Sequence, residues 1–281
     1  MNFNEVTITK ASGELTSFSE EKLRNSMTNA GAPKDQIDSV IEEVKTKLYN
    51  GMTTKKIYQI AFSLLKKGGR HLAARYHLKQ AIMELGPAGF AFEQLIAELF
   101  KSKGYSTRVG EILQGKCVTH EIDVIAEKEN EHILVECKYH NEQGIACNVK
   151  IPLYVHARFN DVVAHAVKNP IFAAKKQSGW LVTNTRFTVD AMQYGSCAGL
   201  QLLGWDHPFK KSLKDQIDDY KLYPITCLTS LSRTEKQQLL EREIVLCRDL
   251  LKNDSLLHKI GIKSTRETTI LQEAKQLCAV Y

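Results

Sequence analysis

Two apolar segments, EIDVIA and ILVECKY, carry charged residues in positions that a β-sheet would otherwise bury. The charged turn EKENE separates them, so the chain is expected to fold back here as a hairpin. Side chains two residues apart point to the same face of a strand, so Glu136 and Lys138 project together. The turn brings Asp123 of the first segment beside them. Placing charges in such strands costs several kcal/mol without compensation, which favours a functional site over a surface salt bridge.

Two carboxylates beside one lysine are typical of a site that binds a metal ion and acts on a phosphate group. Hard oxygen ligands suit Mg²⁺, which keeps several waters and bridges to phosphate. Such an ion neutralises charge on a reacting phosphate and promotes ionisation of a bound water. A lysine next to it is able to orient or deprotonate the attacking water.

The periodicity around this hairpin predicts a mixed sheet flanked by helices, in the order α-β-β-β-α-β-α-β. The predicted helices cover 89–103, 153–168 and 188–198. The predicted strands cover 105–113, 119–126, 132–140, 179–184 and 200–205.

The two ends of the chain have different patterns. A hairpin over 5–18 is followed by four helices, at 20–30, 34–49, from 54 onward and at 71–85. After about 208 the chain is polar and helical, with a predicted helix at 234–252 and a tight turn at Gly261. Together these features predict an α+β or α/β protein with three domains, at 1–87, 88–207 and 208–281.

Composition narrows the class of protein. The 281 residues contain seven cysteines and no C-x-x-C pair, which argues against a disulfide framework or a zinc site. We find no secretory signal and no apolar run of the roughly 18 residues that a membrane helix needs, so a cytoplasmic protein without a membrane partner is expected. The net charge of +6 is compatible with a phosphate-rich partner.

The segments FEQLIAELF, IDVIA and VECK resemble the PD-(D/E)xK nuclease superfamily, and WLVTNTRFTVDAMQYG is similar to a segment of its Mrr-like (type IV) restriction endonucleases. The resemblance covers about 88–205. It implies that Asp123 and Glu136 hold the metal, that Lys138 serves the attacking water and that Glu93 assists from the first helix. Mrr-like enzymes often have Gln-x-Lys, where this chain has Glu136.

Residues 6–86 resemble the ATP-cone, a nucleotide-sensing domain. The matching segments are VTITKASG, Phe18, Lys22-Leu23 and TKKI from Thr54. The resemblance implies binding of ATP or dATP, with Lys10 and Lys22 contacting phosphates and Thr54 near the nucleotide. Because the chain lacks a G-x-x-x-x-G-K-[ST] loop, binding without hydrolysis is expected.

The expected function is magnesium-dependent cleavage of foreign or modified double-stranded DNA, regulated by ATP or dATP. Cutting both strands needs two active sites, so a homo-oligomer is expected. The alternatives are a nucleotide-responsive DNA-binding regulator without cleavage, and an RNA or repair nuclease. The C-terminal segment resembles a helix-hairpin-helix element, whose turn at Gly261 is expected to present backbone N–H groups to a DNA phosphate with Lys259 and Lys263 nearby; the alternative is a helical docking or dimerisation arm. His120 and His140 flank the predicted strands, and two interpretations of them are open: either one contacts phosphate or a second metal, or they are surface or capping residues.

Overall fold

The structure is a computed structural model that describes residues 6–10, 12–87, 89–142, 144–253 and 255–279. Position 5 of the predicted hairpin and position 88 of the predicted domain boundary lie outside these ranges. The chain divides into two compact units. One combines the two ends, Met1–Ile82 and Tyr223–Tyr281, and the other is Met83–Leu222. The predicted division into three domains stays a prediction.

The N-terminal part of the first unit is a small sheet covered by helices. Its strands are β1 (Thr7–Thr9), β2 (Leu15–Ser17) and β3 (Met52–Thr53), in the order β2-β1-β3. Its helices are α1 (Glu20–Asn29), α2 (Lys34–Lys47), α3 (Thr54–Gly68), α4 (Arg70–Tyr76) and α5 (Leu78–Met83). The Ser19 side chain accepts a hydrogen bond from the backbone N–H of Lys22 and so caps α1.

The predicted single helix over 71–85 is wrong, because the chain breaks it at His77 into α4 and α5. The Nδ1 atom of His77 lies 2.5 Å from the hydroxyl oxygen of Tyr58 on α3. This contact joins residues 19 positions apart, so local periodicity could not predict it.

The C-terminal part of the first unit is helical. After a 3₁₀ turn at Ile225–Cys227 it contains α11 (Arg233–Leu240), α12 (Cys247–Lys252), α13 (Ser255–Lys259) and α14 (Ser264–Cys278). Helix α14 packs against α4 and α12. The Thr226 hydroxyl donates to the carbonyl of Ala81 at 2.7 Å. The C-terminal segment is therefore packed onto the N-terminal helices.

The predicted helix over 234–252 is also wrong, since α11 ends at Leu240 and α12 begins at Cys247. Glu243 adopts a left-handed backbone with φ of 60°, which a helix does not accommodate. The buried Val245 accepts a hydrogen bond from the backbone N–H of Ile225 at 2.9 Å. Long-range pairing in the core thus replaces the helix that local composition favours.

The second unit is built on a mixed sheet. Its strands are β4 (Ser106–Gln114), β5 (Thr119–Lys128), β6 (Glu131–Lys138), β8 (Lys176–Thr183) and β10 (Gln201–Leu203), in the order β10-β8-β6-β5-β4. A separate pair consists of β7 (Ala146–Cys147) and β9 (Arg186–Phe187). Strands β4, β5 and β6 are antiparallel, whereas β6, β8 and β10 are parallel.

Helices cover both faces of this sheet. They are α6 (Phe90–Ser102), α7 (Lys150–Ala166), α8 (Pro170–Ala173), α9 (Val189–Cys197) and α10 (Leu213–Asp219). Phe100 of α6 contacts the ring of Trp180, with centroids 5.4 Å apart. Phe159 of α7 lies so close to Gly179 that an added Cβ would meet its ring at 2.5 Å. Because consecutive strand residues face opposite ways, α6 and α7 lie on opposite faces.

The predicted fold class is confirmed: a small sheet with helices, a central mixed sheet flanked by helices, and a helical C-terminus. The described helices are all too short or too polar to cross a bilayer.

We expect Glu235→Gln to destabilise the first unit in a pH-dependent manner. Arg266, with help from Ser232, lowers the pKa of Glu235 to about 2. A carboxyl group whose pKa is lower in the folded than in the unfolded protein stabilises the fold at pH values above the unfolded pKa. This stabilisation is lost as the pH falls through the folded pKa. At pH 7 the substitution should cost about 1 kcal/mol, because Arg266 is half-exposed. Urea unfolding should show that the difference in free energy of unfolding between the unsubstituted protein and Glu235→Gln decreases as the pH falls from 4.5 to about 2. The exposed Glu241→Gln is the control; an equal effect of both would contradict the ion-pair explanation.

Candidate active site

The pairing of β5 with β6 brings the two predicted metal ligands together. Val124 lies opposite Val135 in the antiparallel ladder, so the next position along the same register sets Asp123 opposite Glu136. Opposed side chains share a face, with Cβ atoms about 5 Å apart. An Asp123 carboxylate oxygen also accepts a hydrogen bond from the backbone N–H of Cys137 at 2.6 Å. This bond holds Asp123 against the next strand.

Glu93 and Lys138 approach the same acids. Lys138 is the last residue of β6, and Glu93 lies in the first turn of α6. Burial, followed by the charge of Asp123, raises the pKa of Glu93 to about 7. The structure therefore brings together Glu93, Asp123, Glu136 and Lys138.

The acids at this site are crowded and poorly solvated. Burial and the charge of Asp123 raise the pKa of Glu136 to about 7, against the opposing effect of Arg158. Burial likewise raises the pKa of Asp123, although the backbone N–H of Cys137 opposes the shift. Glu121, on the same face of β5 as Asp123, adds a further negative charge. Burial and mutual repulsion thus disfavour the charged forms of the acids at this site.

Arg158 of α7 is the site residue that the sequence interpretation missed. Its Nη1 donates to a Glu136 carboxylate oxygen at 2.6 Å, and both side chains are largely buried. Its Nη2 donates to the carbonyl of Glu121, and its guanidinium lies over the Tyr154 ring, 5.3 Å from the centroid. No local signal singles out this arginine, because its role depends on a contact 22 residues away.

Three buried polar residues, Thr183, Asn184 and Thr185, fix the end of β6. The Thr183 hydroxyl donates to the carbonyl of Lys138 at 2.7 Å. Asn184 accepts from the backbone N–H of His140 at 2.8 Å and donates to the carbonyl of the same residue at 2.7 Å. These bonds hold the backbone on either side of Tyr139 and so support the position of the lysine.

The two histidines flanking the strands have different surroundings. The Nε2 atom of His120 lies 2.9 Å from an Asp161 carboxylate oxygen. Asp161 also accepts from the backbone N–H of Cys117 at 2.9 Å. The hydrogen bond from His120 is the main cause that lowers the pKa of Asp161 to about 2. His120 thus has a structural partner. His140 instead lies near Lys138. Burial of His140 and, to a smaller extent, the charge of Lys138 lower the pKa of the His140 imidazole.

The donor set fits a magnesium ion. Among the described residues no three His, Cys, Asp or Glu side chains are arranged to hold a metal together. Magnesium does not require three, since it is commonly bound through one or two carboxylates while water and substrate phosphate complete its shell. Asp123 and Glu136 supply two hard oxygen donors, and a nearby cation would favour the charged carboxylate that burial disfavours at each of them.

A second candidate site is a cavity of about 230 Å³ in the first unit. All three predicted nucleotide contacts line it: Lys10, Lys22 and Thr54. Thr54 is the first residue of α3, where unpaired backbone N–H groups favour an anion. Lys10 forms an exposed ion pair with Glu14 at 3.0 Å.

The cavity also has an aromatic wall that the sequence interpretation missed. Tyr58 and Tyr76 line it, with rings stacked 5.2 Å apart at an interplanar angle of 8°. The tyrosines lie on different helices and 18 positions apart, so no sequence spacing pairs them. The cavity thus offers cationic and aromatic contacts together.

Comparison with known proteins places three family models along the chain. The model described as ATP cone domain matches residues 6–81, Restriction endonuclease matches 87–207, and AF1548-like, C-terminal matches 223–278. An uncharacterized protein of Archaeoglobus fulgidus is 33% identical over 183 residues, which are 65% of this chain and 99% of that protein.

A solved structure is also similar to this chain. It is titled as a crystal structure of a protein of unknown function, AF1548, and matches with 32% identity and a TM-score of 0.55. The match covers 67% of this chain and 97% of that one.

We expect Arg158→Gln to destabilise the second unit by about 3 kcal/mol. The substitution leaves Glu136 as an uncompensated, largely buried acid. Arg108→Gln is the matched control, because its pair with Glu127 is longer, at 3.4 Å, and its arginine is exposed; it should cost less than about 1 kcal/mol. Urea unfolding of both variants at pH 8 measures the two costs. Equal losses would show that the Arg158–Glu136 pair has no special weight.

Proposed function

Because the chain belongs to the AF1548-like family and joins an ATP cone to an Mrr-type restriction endonuclease domain, we propose that it is a magnesium-dependent DNA endonuclease. Cleavage is regulated by ATP or dATP bound to the cone. The convergence of Asp123 of β5 with Glu136 and Lys138 at the carboxyl end of β6 is the observation that carries this proposal.

Asp123 and Glu136 would hold the magnesium ion. When bound, the ion supplies charge neutralisation at the reacting phosphate and a more acidic water. Lys138 orients the attacking water, or takes its proton, from its position at the end of β6. Glu93 contributes negative charge from α6 and helps to hold water at the site.

Arg158 has two roles in this proposal, one toward Glu136 and one toward the substrate phosphate. It neutralises Glu136 while the substrate is absent, through the 2.6 Å contact described above. A guanidinium is suited to bidentate contact with phosphate, so a phosphate at this site competes with Glu136 for Arg158. The substitution Arg158→Gln should therefore weaken substrate binding as well as stability.

The proposed substrate is double-stranded DNA, foreign or modified. The net charge of +6 favours a polyanionic partner. Cutting two strands requires two such sites, so we propose a homo-oligomer as the active form. The cytoplasm is the proposed location, where this substrate and nucleotides meet.

The nucleotide site of the proposal is the cavity lined by Lys10, Lys22 and Thr54. The lysines contact the phosphates, and a base stacked on Tyr58 or Tyr76 would gain aromatic contact. Nucleotide regulates cleavage only if it binds the active and inactive forms with different affinity.

We expect Asp123→Asn and Glu136→Gln each to lower DNA cleavage at least about 100-fold, because each removes a metal ligand. The assay uses methylated and unmethylated plasmids with Mg²⁺, with and without ATP or dATP, and scores nicked and linear products on gels. Glu131→Gln is the control, since Glu131 lies at the other end of β6 and is hydrogen-bonded to Tyr105. Nicking by Asp123→Asn at the unsubstituted rate would refute the metal role, and parallel RNA substrates decide which nucleic acid is cut.

We expect Lys22→Ala to weaken ATP binding about 10-fold, as loss of one charge-assisted phosphate contact would. Isothermal titration calorimetry on the full chain measures the affinity. Lys34→Ala is the control, because Lys34 is exposed and outside the residues that line the cavity. If nucleotide regulates the nuclease, DNA must also change ATP affinity by the same factor that ATP changes DNA affinity. Identical ATP affinity with and without DNA, together with an equal cleavage rate with and without ATP, would refute regulation and leave the nuclease proposal intact.

A further inference from the structure

The segment that follows β10, residues 204–211, is a firmly held loop with an exposed aromatic tip. The backbone N–H of Gly204 donates to the carbonyl of His207 at 2.8 Å, and that of Lys211 donates to Pro208 at 3.1 Å. The loop ends at Ser212, which forms a capping box with Asp215 at the start of α10. These bonds fix the backbone on both sides of the tip.

Phe209 stands at this tip and is 84% exposed. The Nζ atom of Lys210 lies over its ring, 5.5 Å from the centroid, and Lys211 is also exposed. Lys210 has a left-handed backbone with φ of 62°, a strained conformation that clusters at functional sites. The fold therefore presents a large apolar ring beside two lysines. Exposing this ring to water is unfavourable, and so is the left-handed backbone of Lys210. Asp206 is the acidic residue of the segment.

The loop leaves the same edge of the sheet as the candidate active site. Strands β6, β8 and β10 are parallel, so their carboxyl ends, Lys138, Thr183 and Leu203, lie along one edge. A chain of hydrogen bonds connects the loop to this edge. The backbone N–H of Trp205 donates to Thr185 at 2.8 Å, and the hydroxyls of Thr185 and Thr183 lie 3.2 Å apart.

We propose that this loop is a DNA-contacting wedge, in which Phe209 stacks on a base and Lys210 and Lys211 contact the neighbouring phosphates. The inference rests on the proposed function, because it places the duplex across the edge that carries Lys138. An aromatic ring with lysines beside it is complementary to nucleic acid, which offers base faces and phosphates side by side. Apolar wedges that enter a base step partly unstack it and kink the duplex.

The test compares Phe209→Ala with Lys210→Ser/Lys211→Ser in full chains that also carry Asp123→Asn, so that the DNA is not consumed. Fluorescence anisotropy measures binding to a labelled duplex over a series of salt concentrations. Phe209→Ala should weaken binding about 10-fold and leave the salt slope unchanged. The double lysine variant should reduce that slope by about 2, since each phosphate contact contributes about 0.9.

A second readout reports on stacking directly. A duplex carrying 2-aminopurine brightens when the base is unstacked, and this increase should disappear in Phe209→Ala and return in Phe209→Trp. Val167→Ala and Lys168→Ser/Lys176→Ser are the matched controls, because these exposed residues lie near the start of β8, away from Lys138. Both should behave as the unsubstituted protein does.

The outcomes separate this inference from the proposed function. If the chain binds and cleaves DNA while the Phe209 and lysine variants match their controls, the wedge is refuted and the nuclease stands. Stacking would also be refuted if Phe209→Ala lost DNA binding but the unsubstituted protein, when it binds the duplex, left the 2-aminopurine fluorescence unchanged. If the unsubstituted chain binds no DNA, both proposals fall together.

Discussion

The antiparallel ladder between β5 and β6 is the constraint on which the candidate active site depends. Its register sets Asp123 against Glu136 and leaves Lys138 at the end of its strand. Because side chains alternate along a strand, a slip of one residue would send these groups to the opposite face. The apolar residues on both strands are buried against helices on the two faces of the sheet, and this burial fixes the register that the acids require.

The same arrangement explains how a stable sheet tolerates so much negative charge. Acids in apolar surroundings are costly unless a cation or hydrogen bonds compensate them. Here the backbone N–H of Cys137 compensates Asp123, and Arg158 compensates Glu136. The compensation is incomplete, which is why burial still raises the pKa of both acids. Two carboxylates whose charged forms are only partly compensated are thus also the groups that would bind a divalent cation.

The sequence predicts the structure well in those segments of both units where local pattern and tertiary environment agree. Alternation in EIDVIA and ILVECKY places β5 and β6 correctly, and the resemblance to the ATP-cone singles out lysines that line the cavity of the first unit. Prediction fails where a distant contact decides the outcome. Val245 pairs with Ile225 and ends a helix that its composition favours, and Tyr58 reaches His77 at the break between α4 and α5. The strands β7 and β9 have two residues each, too few for periodicity to indicate. Arg158 belongs to the same group, because nothing within its own helix marks it as a partner of Glu136.

The chain enters and leaves the central unit from the same compact unit, which the two termini build together. The sheet-bearing unit is therefore inserted into the other unit and is connected to it at two points of the chain, near residues 82 and 222, rather than by a single linker. A rearrangement around bound nucleotide would act on both connections at once. In such a topology, removing either end of the polypeptide would damage the unit that both termini build, rather than release the inserted unit from it.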